Sequence, residues 1–275
     1  MNKIILTNYS RLRLLLFFLP IVLLIIIACG LYSVDCLSTN GYIAVQKDTF
    51  LFMNSSVRNY PHILFNLTQF GDAMIFLSFL SIFVIYTPKI WESLITASIF
   101  SLIFTVIMKE FFAIPRPAAA LSSNTFNIIG ERLAGSNSFP SGHSITVFTI
   151  LTVLMFAFMP YKIKHKVAFF VFVTLLGLLF AFTRVGVGAH YPLDVIVGCI
   201  IGYICGLLGT FVTKKYQLWN WIYNKKYYPI FIVLMIIACI IVINRIRIEN
   251  LFIYYMALIS LFITLYKSYA TYLKK

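Results

Sequence analysis

The chain has 275 residues, 61% of them hydrophobic and 11% charged, with a net charge of +14 and a mean hydropathy of +0.94. That balance excludes a water-soluble globular domain and points to an all-helical polytopic membrane protein. The excess of Lys and Arg would suit nucleic acid in a soluble chain, but in a membrane protein basic residues first report topology.

Crossing a hydrocarbon layer of roughly 30 Å takes about 20 apolar residues in a helix. The first such run, 14–33, follows Lys3, Arg11 and Arg13. It passes through "IIAC" at Cys29, which loosely resembles a lipoprotein cleavage site, yet the apolar run continues beyond it and reads as a first span. Further spans are expected near 63–86, 91–112, 143–159, 167–185, 191–213, 229–244 and 250–266, the last two being short. The stretch between the first two spans reads as a loop, in which Asn54-Ser55-Ser56 matches a glycosylation acceptor only at chance frequency, as Asn66-Leu67-Thr68 does in the second span. That span also carries an acid, Asp72, with no evident partner. Intramembrane acids are functional candidates by default, although a hydrogen bond to a neighbouring helix would explain it equally.

With the N-terminus in the cytoplasm, fourteen Lys and Arg fall on the cytoplasmic side and eight on the other. The cytoplasmic set includes Lys89, the lysines of 162–166 and 214–226, Lys267, Lys274 and Lys275. This is the positive-inside bias, and it explains the lysine runs beside Trp219, Trp221 and Tyr227 without nucleic acid. Gly198, Gly202 and Gly206 recur every four residues along the sixth span, the pattern of close helix packing. The five cysteines are scattered and show no metal-ligand or disulfide spacing.

Three polar clusters interrupt this apolar chain, and the charge count puts all of them on the non-cytoplasmic side. After the third span comes "KEFFAIPRPAAA", with Lys109, Arg116 and Pro117. At the start of the fourth is "PSGHS", Pro140 to Ser144. Between the fifth and sixth is "TRVGVGAHYPLDV", with Arg184, His190 and Asp194. Two arginines and a lysine offer forked and point-charge donors suited to a phosphate. Ser141 and the backbone amides of Ser141 and Gly142 open a helix, where free N–H groups and the positive dipole end favour an anion. His190 and Asp194 lie four residues apart, so a helix starting near Tyr191 would let the carboxylate orient the ring for nucleophilic attack. His143 would protonate the leaving oxygen and later activate water. Glu131 and Arg132 read as loop surface; their loop, 118–139, is the natural place to read a headgroup.

These blocks resemble those of the type 2 phosphatidic acid phosphatase superfamily: Lys109-x6-Arg116-Pro117, Pro140-Ser141-Gly142-His143, and Thr183-Arg184-x5-His190-x3-Asp194, with Thr183 where the family usually has serine. The resemblance implies a six-helix core, 1–213, followed by a basic loop and two further spans in 214–275. It implies cofactor-free, metal-independent hydrolysis of a lipid phosphomonoester or diphosphate through a phosphohistidine on His190, with His143 as acid and base. Lys109, Arg116, Ser141, Gly142 and Arg184 would hold the phosphate. The expected place is the outer face of a bacterial cytoplasmic membrane. Undecaprenyl diphosphate, a lipid A phosphate, phosphatidylglycerol phosphate and phosphatidic acid all fit, and oligomeric state is left open. Phosphoryl transfer to a lipid acceptor is one alternative, and a non-enzymatic anion or lipid transporter is another.

Overall fold

The computed structural model describes residues 2–122, 124–216 and 218–273; Lys274 and Lys275, counted above on the cytoplasmic side, lie outside the described residues. Thirteen α-helices and no strand occur among the described residues. In chain order they are α1 Asn2–Ser10, α2 Phe18–Ser33, α3 Thr39–Ser56, α4 Pro61–Thr68, α5 Ala73–Leu80, α6 Phe83–Tyr86, α7 Pro88–Phe112, α8 Pro117–Ala120, α9 Gly142–Ala157, α10 Ile163–Gly186, α11 Pro192–Lys215, α12 Tyr228–Glu249 and α13 Phe252–Leu273. Among the described residues six helical segments are long and apolar enough to cross a membrane; α4 and α5 form a seventh if taken as one bent span, and the apolar α9 is shorter.

Helices α9 and α11 form the centre, flanked by α7 and α10. Their approach is set by small residues. A methyl group on Gly202 would lie 2.4 Å from the carbonyl oxygen of Ile145, and one on Gly206 would lie 2.8 Å from that of Thr149. Gly198 likewise faces the carbonyl of Ser141. The four-residue glycine spacing therefore does what it suggested, bringing α11 against α9 backbone to backbone. Gly209 continues the contact against Ala97 of α7.

The N-terminal helix closes the opposite end from the three polar clusters. Asn8 donates to the carbonyls of Ala157 and Met159, and Lys214 donates to the carbonyl of Ser10 at 3.1 Å. Lys89 is buried at that end too, paired with Glu92 at 2.7 Å and donating to the carbonyl of Thr213 at 2.6 Å. These contacts gather Lys89, the 157–161 turn and the end of α11 with the N-terminus, as the charge count required.

Three expectations are corrected. The segment between the first two spans is mostly the helix α3, whose buried face is Tyr42, Gln46, Phe50 and Asn54. Asn54 is fully buried and donates to the carbonyls of Val185 and Gly186, which removes it as a glycosylation acceptor. The second span is broken by a 76° bend rather than continuous, and Asp72 sits at the break as the N-cap of α5. Asp72 is also paired: Arg245 of α12 donates to its Oδ2 at 2.8 Å. The last two spans are full-length helices of 22 residues each, turning at Asn250, whose φ is +48°.

The glycine contacts give a stability prediction. Gly202→Leu forces α9 and α11 apart, and overpacking of this kind costs about 1–3 kcal/mol. Thermal unfolding in detergent should show a clearly lower Tm for Gly202→Leu, whereas Gly30→Ala, with open space around it, should melt with the unmodified protein.

Candidate functional site

The three clusters meet at the end of the bundle away from the N-terminus. Helix α7 ends with Ala113 in the left-handed region, its amide bonded to the carbonyl of Lys109, so the chain turns sharply there. Two backbone bonds then hold the 113–139 excursion together: Arg116 N–H to the carbonyl of Gly135, and Ser138 N–H to that of Ile114, at 3.0 and 2.9 Å. Through them Arg116 and Ser138 reach the same place.

Asp194 organises the centre. Its side chain is fully buried and accepts from Tyr42 Oη at 2.7 Å, Ser138 Oγ at 2.6 Å and the amide of Tyr191 at 3.0 Å. Its backbone carbonyl accepts the amide of Ser141 at 3.0 Å. One residue thus ties α3, the 113–139 loop, the start of α9 and the start of α11. Gln46 of α3 adds a bond from the amide of Leu193 at 2.7 Å.

His190 lies beside it, nearly inaccessible to solvent. Its Nδ1 is 3.5 Å from Asp194 Oδ2 and 3.4 Å from Ser138 Oγ. The expected direct carboxylate clasp is therefore loose, and the Ser138 hydroxyl stands at the junction of ring and carboxylate. Helix α11 begins at Pro192, so the His190 ring is held from the preceding loop. The other ring nitrogen, Nε2, faces Arg116 Nη1 at 3.4 Å, a contact that suits an unprotonated Nε2. Burial first, and then the charges of Arg116, Arg184 and Lys109, hold this imidazole well below the usual histidine range. It is neutral at pH 7.

Arg116 faces that nitrogen, and the charges of Arg184 and Lys109 also act on the ring. Arg116 also donates to Asn137 Oδ1 at 2.7 Å and to the carbonyl of Ala189 at 3.3 Å. Arg184 is buried, donates to Thr68 Oγ1 at 2.9 Å, and its Nε has no hydrogen-bond partner among the described residues. The Lys109 ammonium lies against Gly142, 3.7 Å from where a Cβ would stand. Three cations against one carboxylate leave the site strongly positive.

The start of α9 departs from expectation in one respect. The Ser141 amide is occupied by Asp194, and the Ser141 hydroxyl caps the helix, accepting from the Ser144 amide at 3.3 Å and the Ser144 hydroxyl at 2.8 Å. The first-turn amides of Gly142 and His143 have no intrahelical acceptor, as in any residues that open a helix. His143 packs on Gly71 and borders a cavity of about 300 Å³ that runs between α5, α7 and α9, past Asp72, Ser101 and Thr105. All eight expected site residues thus lie at one end of the bundle. Glu131 and Arg132 are exposed, as expected of loop surface.

Five residues at the site carry no motif: Ser138, Tyr42, Gln46, Asn137 and Thr68. Ser138, two residues before Pro140, was within reach of inspection. Asn137 precedes it, whereas Tyr42, Gln46 and Thr68 come from segments that only the fold brings near.

Fold and site together define an integral-membrane helical protein with a basic, histidine-containing polar cluster at one end. Residues 90–218 match the model of the PAP2 superfamily. Similar proteins include a lipid A 1-phosphatase of Rhizobium etli, 33% identical over 132 residues, which are 48% of this chain and 53% of that protein. A phosphatidylglycerophosphatase B of Bacillus subtilis is 27% identical over 134 residues, 47% of this chain and 60% of the relative. The chain spans about half the length of the curated relatives it matches. Among solved structures, that of Aquifex aeolicus LpxE is similar with a TM-score of 0.50 and 29% identity, covering 60% of this chain and 94% of that one.

The Asp194 network predicts a stability effect independent of any activity. Asp194→Ala leaves three buried donors without their acceptor, at roughly 1–3 kcal/mol each. Thermal unfolding of the detergent-purified variant should show a large loss of stability, with Asp194→Asn intermediate; an unchanged Tm for Asp194→Ala would contradict the network.

Proposed function

We propose that the protein is a membrane lipid phosphatase that hydrolyses a phosphomonoester or diphosphate through a phosphohistidine on His190. The observation that carries this reading is a buried His190 whose Nε2 faces Arg116 at 3.4 Å and whose ring feels the charges of Arg184 and Lys109. A buried guanidinium nitrogen without a partner, Arg184 Nε, is costly unless an anion meets it. The sequence matches support the same reading, since the relatives are named as phosphatases of lipid A and of phosphatidylglycerophosphate.

In the proposed reaction Lys109, Arg116, Arg184 and the first-turn amides of α9 hold the phosphate oxygens. His190 Nε2 forms a bond to phosphorus while the bond to the leaving oxygen breaks; that oxygen takes its electron pair and a proton from His143. Water then gives a proton to His143 and attacks phosphorus, breaking the P–N bond and restoring His190. Asp194 and Ser138 hold the tautomer with hydrogen on Nδ1. The positive pocket stabilises charge on the phosphoryl oxygens in both steps.

The cavity beside His143 lies between membrane helices, which fits a substrate whose chains stay in the bilayer. The basic residues opposite the site support a position on the periplasmic side of a cytoplasmic membrane. In this reading 1–213 is the phosphatase core and 214–275 an addition to it.

The test is phosphate release from lipid phosphates and diphosphates by detergent-purified protein in EDTA. Release should persist in EDTA and fall by roughly three orders of magnitude in His190→Ala and His143→Ala. Labelled phosphate found on a second lipid, with none free, would show transfer instead of hydrolysis.

The pH profile supplies a second check. A depressed His190 pKa keeps the nucleophilic neutral ring populated as pH falls, and the acid limb appears only below the ordinary value of about 6.5. The acid limb of kcat/KM should therefore lie below the ordinary histidine value of about 6.5; an acid limb above 6.5 assigned to this ring would refute its neutral state.

A further inference from the structure

The site's motif residues all lie within 90–218, yet two of them rest on a segment outside it. Arg184 donates to Thr68, the last residue of α4. His143 packs so tightly on Gly71 that a methyl group there would stand 2.5 Å from the histidine Cβ. Thr68 and Gly71 are three residues apart, on the short turn at which the second span bends by 76°. That turn therefore positions both a phosphate-facing arginine and the imidazole proposed as acid and base.

A 76° bend in a span at membrane depth needs its own support, because freed backbone groups have no water to bond. Asp72 supplies it on one side. Its Oδ1 accepts from the amides of Met74 and Ile75 at 2.9 and 3.2 Å, capping α5. Its Oδ2 is held by Arg245 at 2.8 Å. Arg245 comes from α12, beyond the matched segment, near the turn into α13. The α12–α13 hairpin grips the broken span at two further levels: the amide of Ile253 donates to Asn66 Oδ1 at 3.0 Å, and the hydroxyls of Ser81 and Thr264 are 2.7 Å apart. A shared apolar cluster, Ile75 and Val84 with Met235, Tyr254 and Leu261, fills the space between.

The ion pair is the directional part of this grip. Both side chains are partly exposed, 33% for Arg245 and 22% for Asp72, so its value lies in geometry more than in net stability. We infer that the C-terminal hairpin is a clamp on the active site: Arg245 is a positioning residue that, through Asp72, fixes the Thr68–Asp72 turn on which His143 and Arg184 are seated. This rests on the phosphatase reading above, and it assigns a role to the part of the chain that lies beyond the family segment.

The test compares Arg245→Gln, Arg245→Lys and Asp72→Asn with Arg247→Gln, a neighbouring exposed arginine, in the full-length protein. Asp72→Asn keeps an oxygen to cap α5 and loses only the charge. With a lipid phosphate that the unmodified protein hydrolyses, Arg245→Gln and Asp72→Asn should each lower kcat roughly 5–20-fold while KM stays within about twofold. The double variant should be no worse than either single one, Arg245→Lys should recover much of the loss, and Arg247→Gln should be unaffected. Hydrogen exchange supplies a reading that needs no turnover: amides of Gly71–Ile75 and of His143–Ser144 should exchange faster in Arg245→Gln, with α11 unchanged. If folded Arg245→Gln keeps full kcat, or if KM rises with kcat intact because Arg245 touches substrate, the clamp is overturned. If the unmodified protein releases no phosphate, the phosphatase reading falls instead, and unchanged exchange at those amides overturns the clamp separately.

Discussion

The buried carboxylate of Asp194 is the constraint from which the rest of the site follows. A charge in the membrane interior is tolerated only when its lone pairs are filled and opposite charge is near. Here Tyr42, Ser138 and the Tyr191 amide fill them, and Arg116 and His190 stand beside it. These partners come from three separate segments. Satisfying one carboxylate therefore fixes how α3, the 113–139 loop and the start of α11 sit against each other, and the Asp194 carbonyl adds the start of α9. The site is preorganised because its scaffold has no other way to remain satisfied.

The same economy accounts for the excess of positive charge. Three cations grouped around one carboxylate repel one another, an arrangement that costs free energy in the absence of an anion and suits the binding of one. The unpartnered Arg184 Nε is the local trace of that cost. Tight glycine packing of α11 on α9 prevents relaxation, since neither helix can slide without a backbone clash. Rigid apolar packing below and a strained charge balance above are thus two parts of one device.

Legibility in the sequence divided along a physical line. That Lys109, Arg116, His143, Arg184, His190 and Asp194 gather at one end was readable, because they recur in spaced polar blocks that interrupt an apolar chain and because charge counting put them on one side. The spans were readable from hydrocarbon thickness, and Gly198, Gly202 and Gly206 from their period. Helix α3 was not, because its buried face is largely polar: Tyr42, Gln46 and Asn54 look like loop residues until their partners are known. Ser138 lay beside a motif and within reach, yet it is one hydroxyl among several in a serine-rich loop and nothing local singles it out.

Asp72 shows most clearly where sequence reasoning stops. Position in an apolar run made it an anomaly, and two explanations competed, function or a helix–helix hydrogen bond. In the fold it caps α5 at a bend and pairs with an arginine 173 residues away. Neither half of that arrangement is periodic, and no local pattern announces a bend that is held from another helix. The bend in turn seats Gly71 under His143 and Thr68 beside Arg184. A residue can therefore shape a site without belonging to its motif, provided a rigid turn carries its orientation there. Motifs report the groups that meet the substrate; the geometry those groups require is spread over segments whose sequences answer only to packing.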